Sequence, residues 1–182
     1  MAKIALFIDG SNMFAATQSL GFDVDYEKLL NLFSNSGDDL LRAYYYTALD
    51  TSGERCSMKP VADWLQFHGY SLVTKPTKEF IQEDGRRKLK GNMDVEIAVD
   101  VLEVSKYVDR IYLFSGDGDF TYLVQAVKRS GVRVVVVSTV CSNPVMIADE
   151  LRRQADEFVD LQDLKTHIVR DRPRKLSLRV SA

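Results

Sequence analysis

The chain has 182 residues and a formal net charge of −2, with 46% apolar and 27% charged residues. That is enough for one domain with a real core, barely enough for two, and the composition is that of an ordinary soluble globular protein. No apolar run reaches the roughly 18 residues of a membrane span. The opening MAKIALFIDGSN has one lysine and no small-residue cleavage site, so a cytoplasmic protein is expected rather than an exported one.

Apolar runs of strand length alternate with segments of helical period. IALFID (4–9) is a short apolar strand ending in a polar turn, with a helix after it. YEKLLNLFS (26–34) places Leu29, Leu30, Leu32 and Phe33 at helical spacing. DLLRAYYYTAL (39–49) is rich in aromatic residues and reads as a strand. PVADWLQFHG (60–69) reads as a helix with Pro60 in its first turn and Gly69 at its end. YSLVTKP (70–76) is a strand stopped by Pro76. In KEFIQEDGRRKLKGN (78–92), Asp84-Gly85 is a turn signal between two short polar runs, which predicts a hairpin or a flexible excursion.

DVEIAVDVLEVSKYV (94–108) is a strong amphipathic helix. RIYLFSG (110–116) is a strand, and FTYLVQAVKRSG (120–131) is a helix closed by Gly131. VRVVVVST (132–139) is an apolar strand of the kind buried on both faces. PVMIADELRRQADEFVD (144–160) reads as one helix starting at Pro144. Strand alternating with helix predicts an α/β fold with a mostly parallel sheet and right-handed crossovers. One domain over residues 1–165 is expected, followed by a basic tail over 166–182. That tail carries Arg170, Arg172, Arg174, Lys175 and Arg179 against Asp171 alone.

Parallel sheets bind ligands at the carboxyl ends of their strands, so the residues there carry the search for function. After the first strand come Asp9, Gly10, Ser11 and Asn12. After IYLF come Ser115, Gly116, Asp117, Gly118 and Asp119. After the valine strand come Ser138, Thr139, Ser142 and Asn143. Asp and Ser before helices are ordinary N-caps: Ser11 or Asn12 can cap the first helix, and Asp119 the one beginning at Phe120. Capping leaves Asp9 and Asp117 unexplained.

Asp94 opens the amphipathic helix on the face of Ile97, Ala98 and Val101, which turns toward the sheet. It is either a cap or a site residue. Glu96, Asp100 and Glu103 lie on another face, spaced like a solvated stripe.

If Asp9, Asp94, Asp117 and Asp119 converge, their charges need an answer. Two carboxylates about 4 Å apart repel by roughly 4 kcal/mol at an effective dielectric of about 20. Four together require a countercharge or protonation. Oxygen ligands without His or Cys suit a hard cation, Mg²⁺ or Mn²⁺. His68 and His167 are isolated, as are Cys56 and Cys141, so zinc is not expected. Arg86, Arg87, Lys88 and Lys90 directly precede Asp94 and could grip a nucleic-acid backbone at the rim.

In this order, FIDGSN (7–12), KGNMDVEIAVDV (90–101) and SGDGDF (115–120) resemble the NYN domain in its LabA-like branch, within the PIN-like nuclease superfamily. The resemblance spans about residues 3–160. It implies a three-layer α/β/α sandwich around a mostly parallel sheet, PIN-like and Rossmann-type. It also implies an acidic Mg²⁺ or Mn²⁺ site and cleavage of RNA. By motif match, Asp9, Asp94, Asp117 and Asp119 are the acids of that site. Asn12, Ser11, Ser115 and Asp100 stand behind them, and Lys90 is the lysine of the lysine-glycine pair. One departure is that two residues separate Gly91 from Asp94, where many members have one.

The leading expectation is therefore a metal-dependent ribonuclease with RNA as its partner. The alternative is a non-catalytic regulatory or RNA-binding module that keeps the acidic site. A phosphatase of the haloacid dehalogenase type would need an aspartate two residues after Asp9, where Ser11 stands. A nucleotide-binding domain would need a GxGxxG or GxxxxGK loop, and none is present. Tyr44, Tyr45 and Tyr46 in a row must place a ring on each strand face, which suggests a homodimer contact.

Overall fold

Runs of period 2 and runs of period 3.6 alternate along the chain, and most become the element their period requires. The computed structural model describes residues 1–49, 59–81 and 87–171. Cys56, the Asp84-Gly85 turn, Arg86 and the tail from Arg172 onward lie outside the described residues. In chain order the elements are β1 (Lys3–Asp9), α1 (Gly10–Ser19), α2 (Tyr26–Ser34), β2 (Asp39–Leu49), α3 (Lys59–Phe67), β3 (Tyr70–Pro76), β4 (Lys78–Ile81), β5 (Arg87–Lys90), α4 (Asp94–Val104), β6 (Arg110–Phe114), α5 (Thr121–Arg129), β7 (Arg133–Ser138), α6 (Asp149–Gln154), β8 (Glu157–Asp160) and α7 (Leu161–Ile168).

Six strands form one sheet in the order β3-β2-β1-β6-β7-β8, and every pairing in it is parallel. β4 and β5 form a separate antiparallel pair, from Lys78 opposite Lys90 to Ile81 opposite Arg87, as the hairpin reading expected. β1 alternates between two apolar layers. Ile4, Leu6 and Ile8 meet Met13 of α1, Leu29 and Phe33 of α2, Leu65 of α3 and Ile168 of α7. Ala5 and Phe7 meet Ile97 and Val101 of α4, Leu123, Val124 and Val127 of α5 and Leu151 of α6. The result is the expected three-layer α/β/α sandwich. β7 contributes to both layers, Val135 and Val137 to one and Val134 and Val136 to the other.

From β1 the chain builds outward through β2 to β3, then returns to the other side of β1 and builds through β6 and β7 to β8. The order therefore reverses between β1 and β6. The crevice at the carboxyl ends of two such strands is where doubly wound sheets receive ligands.

One expectation needs correction. The helix predicted over 144–160 is confined to Asp149–Gln154. The segment after it, Glu157–Asp160, is a sixth strand paired with β7. Phe158 packs in one apolar layer and Val159 in the other, an alternation that belongs to a strand. Asp160 then starts α7, accepting from the Gln162 N–H at 2.8 Å. This helix carries the chain across residue 165, and a Val24–Val169 bridge and an Arg170 N–H bond to the Asp23 carbonyl follow it.

The tyrosine row places a ring on each face of β2, as expected. Tyr45 and Tyr46 are wholly buried, and Tyr44 stacks on Phe7 at 5.1 Å between ring centroids. Tyr45 belongs to one core layer and Tyr46 to the other, with Tyr44 half-buried beside Tyr46.

Candidate metal centre

β1 ends at Asp9 because its carboxylate starts α1. Oδ1 accepts the Asn12 N–H at 3.2 Å and the Ser11 hydroxyl at 2.8 Å. Oδ2 accepts the Ser115 hydroxyl at 3.1 Å from the turn after β6. Asn12 reaches back across the same gap, its Oδ1 accepting the Gly116 N–H at 2.9 Å. The two strand ends are thus stitched together by side chains from both.

The turn after β6 is wound on itself. Ser115 Oγ accepts the Asp117 N–H at 3.3 Å, and Asp117 Oδ1 accepts the Asp119 N–H at 3.0 Å, which caps a 3₁₀ turn over Gly118–Phe120. Gly116 has to be glycine. A Cβ there would lie 2.1 Å from the Met146 carbonyl oxygen and 2.6 Å from Ser138 Oγ. The segment after β7 presses that closely on the acidic turn, and Ala148 N–H bonds the Gly116 carbonyl at 2.9 Å.

Caps therefore fall earlier than the sequence suggested. Asp9, not Ser11 or Asn12, caps α1, and Asp117, not Asp119, caps the turn ahead of α5. Asp94 caps nothing. The residue flanking α4 is Met93, which makes no side-chain cap bond, and the Asp94 N–H is taken by Asn92 Oδ1 at 2.7 Å.

Asp94, Asp117 and Asp119 each bring a carboxylate oxygen to within 4.8 Å of the others. Asp94 and Asp117 are half-buried and Asp119 is exposed. Asp9, only 6% exposed, stands outside that group of three but lines the same cleft. The cleft holds about 370 Å³ and is walled also by Ser11, Asn12, Ala15, Gly91, Asn92, Met93 and Met146.

Burial raises the Asp94 pKa above its ordinary value. The Asn92 amide opposes the rise, and the negative charges of Asp117, Asp9 and Asp119 add to it. Among the described residues the ion pairs join Lys28 to Asp171, Lys75 to Glu96, Arg110 to Asp38, Lys128 to Asp156 and Arg153 to Asp149. None reaches these acids. A set of carboxylates with no His or Cys, and no cationic partner among the described residues, fits a hard divalent ion.

The other sequence candidates are placed differently. Ser115 is buried behind Asp9. Asp100, six residues along α4 from Asp94 and so on another face, is not a cleft residue. Its Oδ2 accepts the Tyr46 hydroxyl at 2.9 Å. Arg87, Lys88 and Lys90 lie on β5, and Lys90 immediately precedes Gly91 at the cleft.

Asn92 was missed by the sequence reading, as were the apolar wall residues Ala15 and Met146. For Asn92 a signal existed: an Asn two residues before a helix-opening residue is the pattern of an Asx turn. The two residues between Gly91 and Asp94 also have separate tasks. Met93 is buried among Ile97 and Val101, and Asn92 binds Asp94.

The family model for the NYN domain matches residues 3–162. The chain belongs to the NYN domain family. The chain is 38% identical over 170 residues to Low amplitude and bright protein LabA of Synechococcus elongatus, covering 92% of this chain and 88% of LabA. A crystal structure of a protein of unknown function from Vibrio parahaemolyticus matches with a TM-score of 0.71 at 27% identity, covering 92% of this chain and 96% of that one. The LabA-like resemblance carried by the three motifs is thereby borne out. In this NYN domain, no helix among the described residues is long and apolar enough to cross a membrane.

Proposed function

We propose that this NYN domain is a metal-dependent ribonuclease, with Asp94, Asp117 and Asp119 holding Mg²⁺ or Mn²⁺ at the β1–β6 crevice. The observation that carries the reading is the convergence of those three carboxylates without a cationic partner among the described residues. When bound, such an ion activates a water and stabilises charge on phosphoryl oxygens.

The protein's own groups have distinct work. Asp9, held by three donors, adds a fourth negative charge beside the three carboxylates. Ser11, Asn12 and Ser115 keep Asp9 and the acidic turn in register. Arg86, Arg87, Lys88 and Lys90 supply positive charge for the RNA backbone from the segment leading into Gly91. Membership of the NYN family supports a nuclease, and the all-carboxylate donor set supports a hard ion.

A second reading is a regulatory or RNA-binding module that keeps the site without turnover. It draws on the likeness to LabA, whose name records low amplitude and brightness rather than a reaction. The test is incubation of purified protein with labelled single-stranded RNA and Mn²⁺ or Mg²⁺, beside Asp94→Asn and Asp117→Asn. Metal-dependent cleavage lost in both variants supports the nuclease. Metal binding by the wild type with no cleavage across single-stranded and structured RNAs supports the module. Cleavage that survives both substitutions overturns the assignment of the site.

A further inference from the structure

We infer that Asn92 is a positioning residue of this centre: its amide clamps one oxygen of Asp94 and leaves the other for the metal ion. The inference rests on the metal-centre reading above.

The clamp is two-pronged. Asn92 Oδ1 accepts the Asp94 N–H at 2.7 Å, and Asn92 Nδ2 donates to Asp94 Oδ2. Both prongs come from one planar amide, so the carboxylate is fixed relative to its own backbone. Asn92 is itself held between two anchored neighbours. On one side a Cβ at Gly91 would fall 2.2 Å from the Ala48 Cβ, so this stretch of backbone runs hard against β2. On the other side Met93 is 5% exposed and packs with Ile97 and Val101. The Asn92 backbone therefore has little freedom, although its side chain is exposed at the cleft.

The residue type matters as well. Asp94 faces the charges of Asp117, Asp9 and Asp119, which favour turning its carboxylate away. A lysine or arginine at position 92 would hold Asp94 but cancel the charge that attracts a cation. An amide holds it by a hydrogen bond and leaves the negative charge in place. With Oδ2 engaged, Oδ1 has no protein partner among the described residues, and Asp94 binds through one oxygen. That is how ions that retain much of their water shell use carboxylates.

The test is Mn²⁺ binding to the full chain without RNA, by titration calorimetry, for the wild type, Asn92→Ala, Asn92→Ser and Asp94→Asn. Melting curves in EDTA accompany each protein. A serine hydroxyl can still accept the Asp94 N–H two residues on, but it offers no amide for the carboxylate.

The expected result is a loss of Mn²⁺ affinity of about 10–100-fold in both Asn92 variants, the usual cost of removing a group that orients a metal ligand. Asn92→Ser should melt close to the wild type. Wild-type affinity in Asn92→Ser would mean that the residue only caps α4 and would overturn the inference. Wild-type affinity in both Asn92 variants, with Asp94→Asn unable to bind, would overturn the clamp and leave the metal centre standing. A wild type that binds no Mn²⁺ would overturn both.

Discussion

Asp94 and Asp100 are the same residue on the same helix, six positions apart, and the fold gives them opposite surroundings. Asp100 receives a donor, the Tyr46 hydroxyl at 2.9 Å. Burial is the main reason that the Tyr46 hydroxyl holds its proton far above the ordinary tyrosine range, and Asp100 reinforces it. Asp94 faces three other acids and has only the Asn92 amide in its favour. One carboxylate ties α4 to β2. The other carries charge that nothing among the described residues neutralises. A motif read along the sequence puts both in the site, whereas the surroundings separate a structural acid from a candidate ligand.

The strongest way to break this contrast is kinetic. If the centre is catalytic, Asp94→Asn and Asp117→Asn should each lower Mn²⁺-dependent RNA cleavage by at least about 100-fold. Asp100→Asn, which keeps an oxygen for Tyr46, should stay within a few-fold of the wild type. Equal losses at positions 94 and 100, in initial-rate measurements on the same RNA, would erase the distinction.

Metal linkage should show the same division. Mn²⁺ at about 100 times its dissociation constant stabilises a single-site protein by about 2.7 kcal/mol. That gain should appear in the melting temperature of the wild type and of Asp100→Asn, and be absent from Asp94→Asn. Stability in EDTA should divide the other way. Asp100→Ala leaves the buried Tyr46 hydroxyl unpaired, at a cost of about 1–3 kcal/mol in urea unfolding. A Tyr46→Phe background should remove much of that cost.

A smaller effect concerns pH. The folded-state pKa of Asp94 is raised, so its contribution to stability is present below the ordinary aspartate pKa and is lost as pH rises through the folded value. In EDTA at neutral pH the charged Asp94 therefore opposes folding. Asp94→Asn should melt higher than the wild type by on the order of 1–3 °C, with the gap closing as pH falls toward about 4. A lower melting point for Asp94→Asn at neutral pH would contradict the crowding of charge. The smallest expected change is at Glu96, on the same helix. Its pair with Lys75 at 2.9 Å is partly solvated, so Glu96→Gln should cost under about 1 kcal/mol.

Much of this was legible in the chain. The β1, α2, β2, α4, β6 and β7 segments declare their period plainly. Asp9, Asp94 and Asp117 could be picked out by lying at the ends of apolar strands or at the head of a helix. Less legible was anything decided by a partner distant in sequence. The 157–160 segment reads as helix until β7 offers it an edge. Which rings of Tyr44, Tyr45 and Tyr46 are buried is decided by the helices packed on β2. The roles of Asp9 and Asp117 as caps depend on where each strand stops, which shifts by a residue or two with tertiary packing.

By itself the sequence determined the alternation of strand and helix, hence a parallel sheet with its strand ends on one edge, and the concentration of acids after β1 and β6. Local periodicity and local turn chemistry suffice for that, because each depends on residues a few positions apart. Only the tertiary structure decided which acids meet. The return from β3 to the far side of β1 brings β6 beside β1 and the head of α4 over the gap between them. Asp94, Asp117 and Asp119 converge there while Asp100 is turned to Tyr46. Strand order and helix docking are fixed by burying two apolar layers at once, and that is a property of the whole chain.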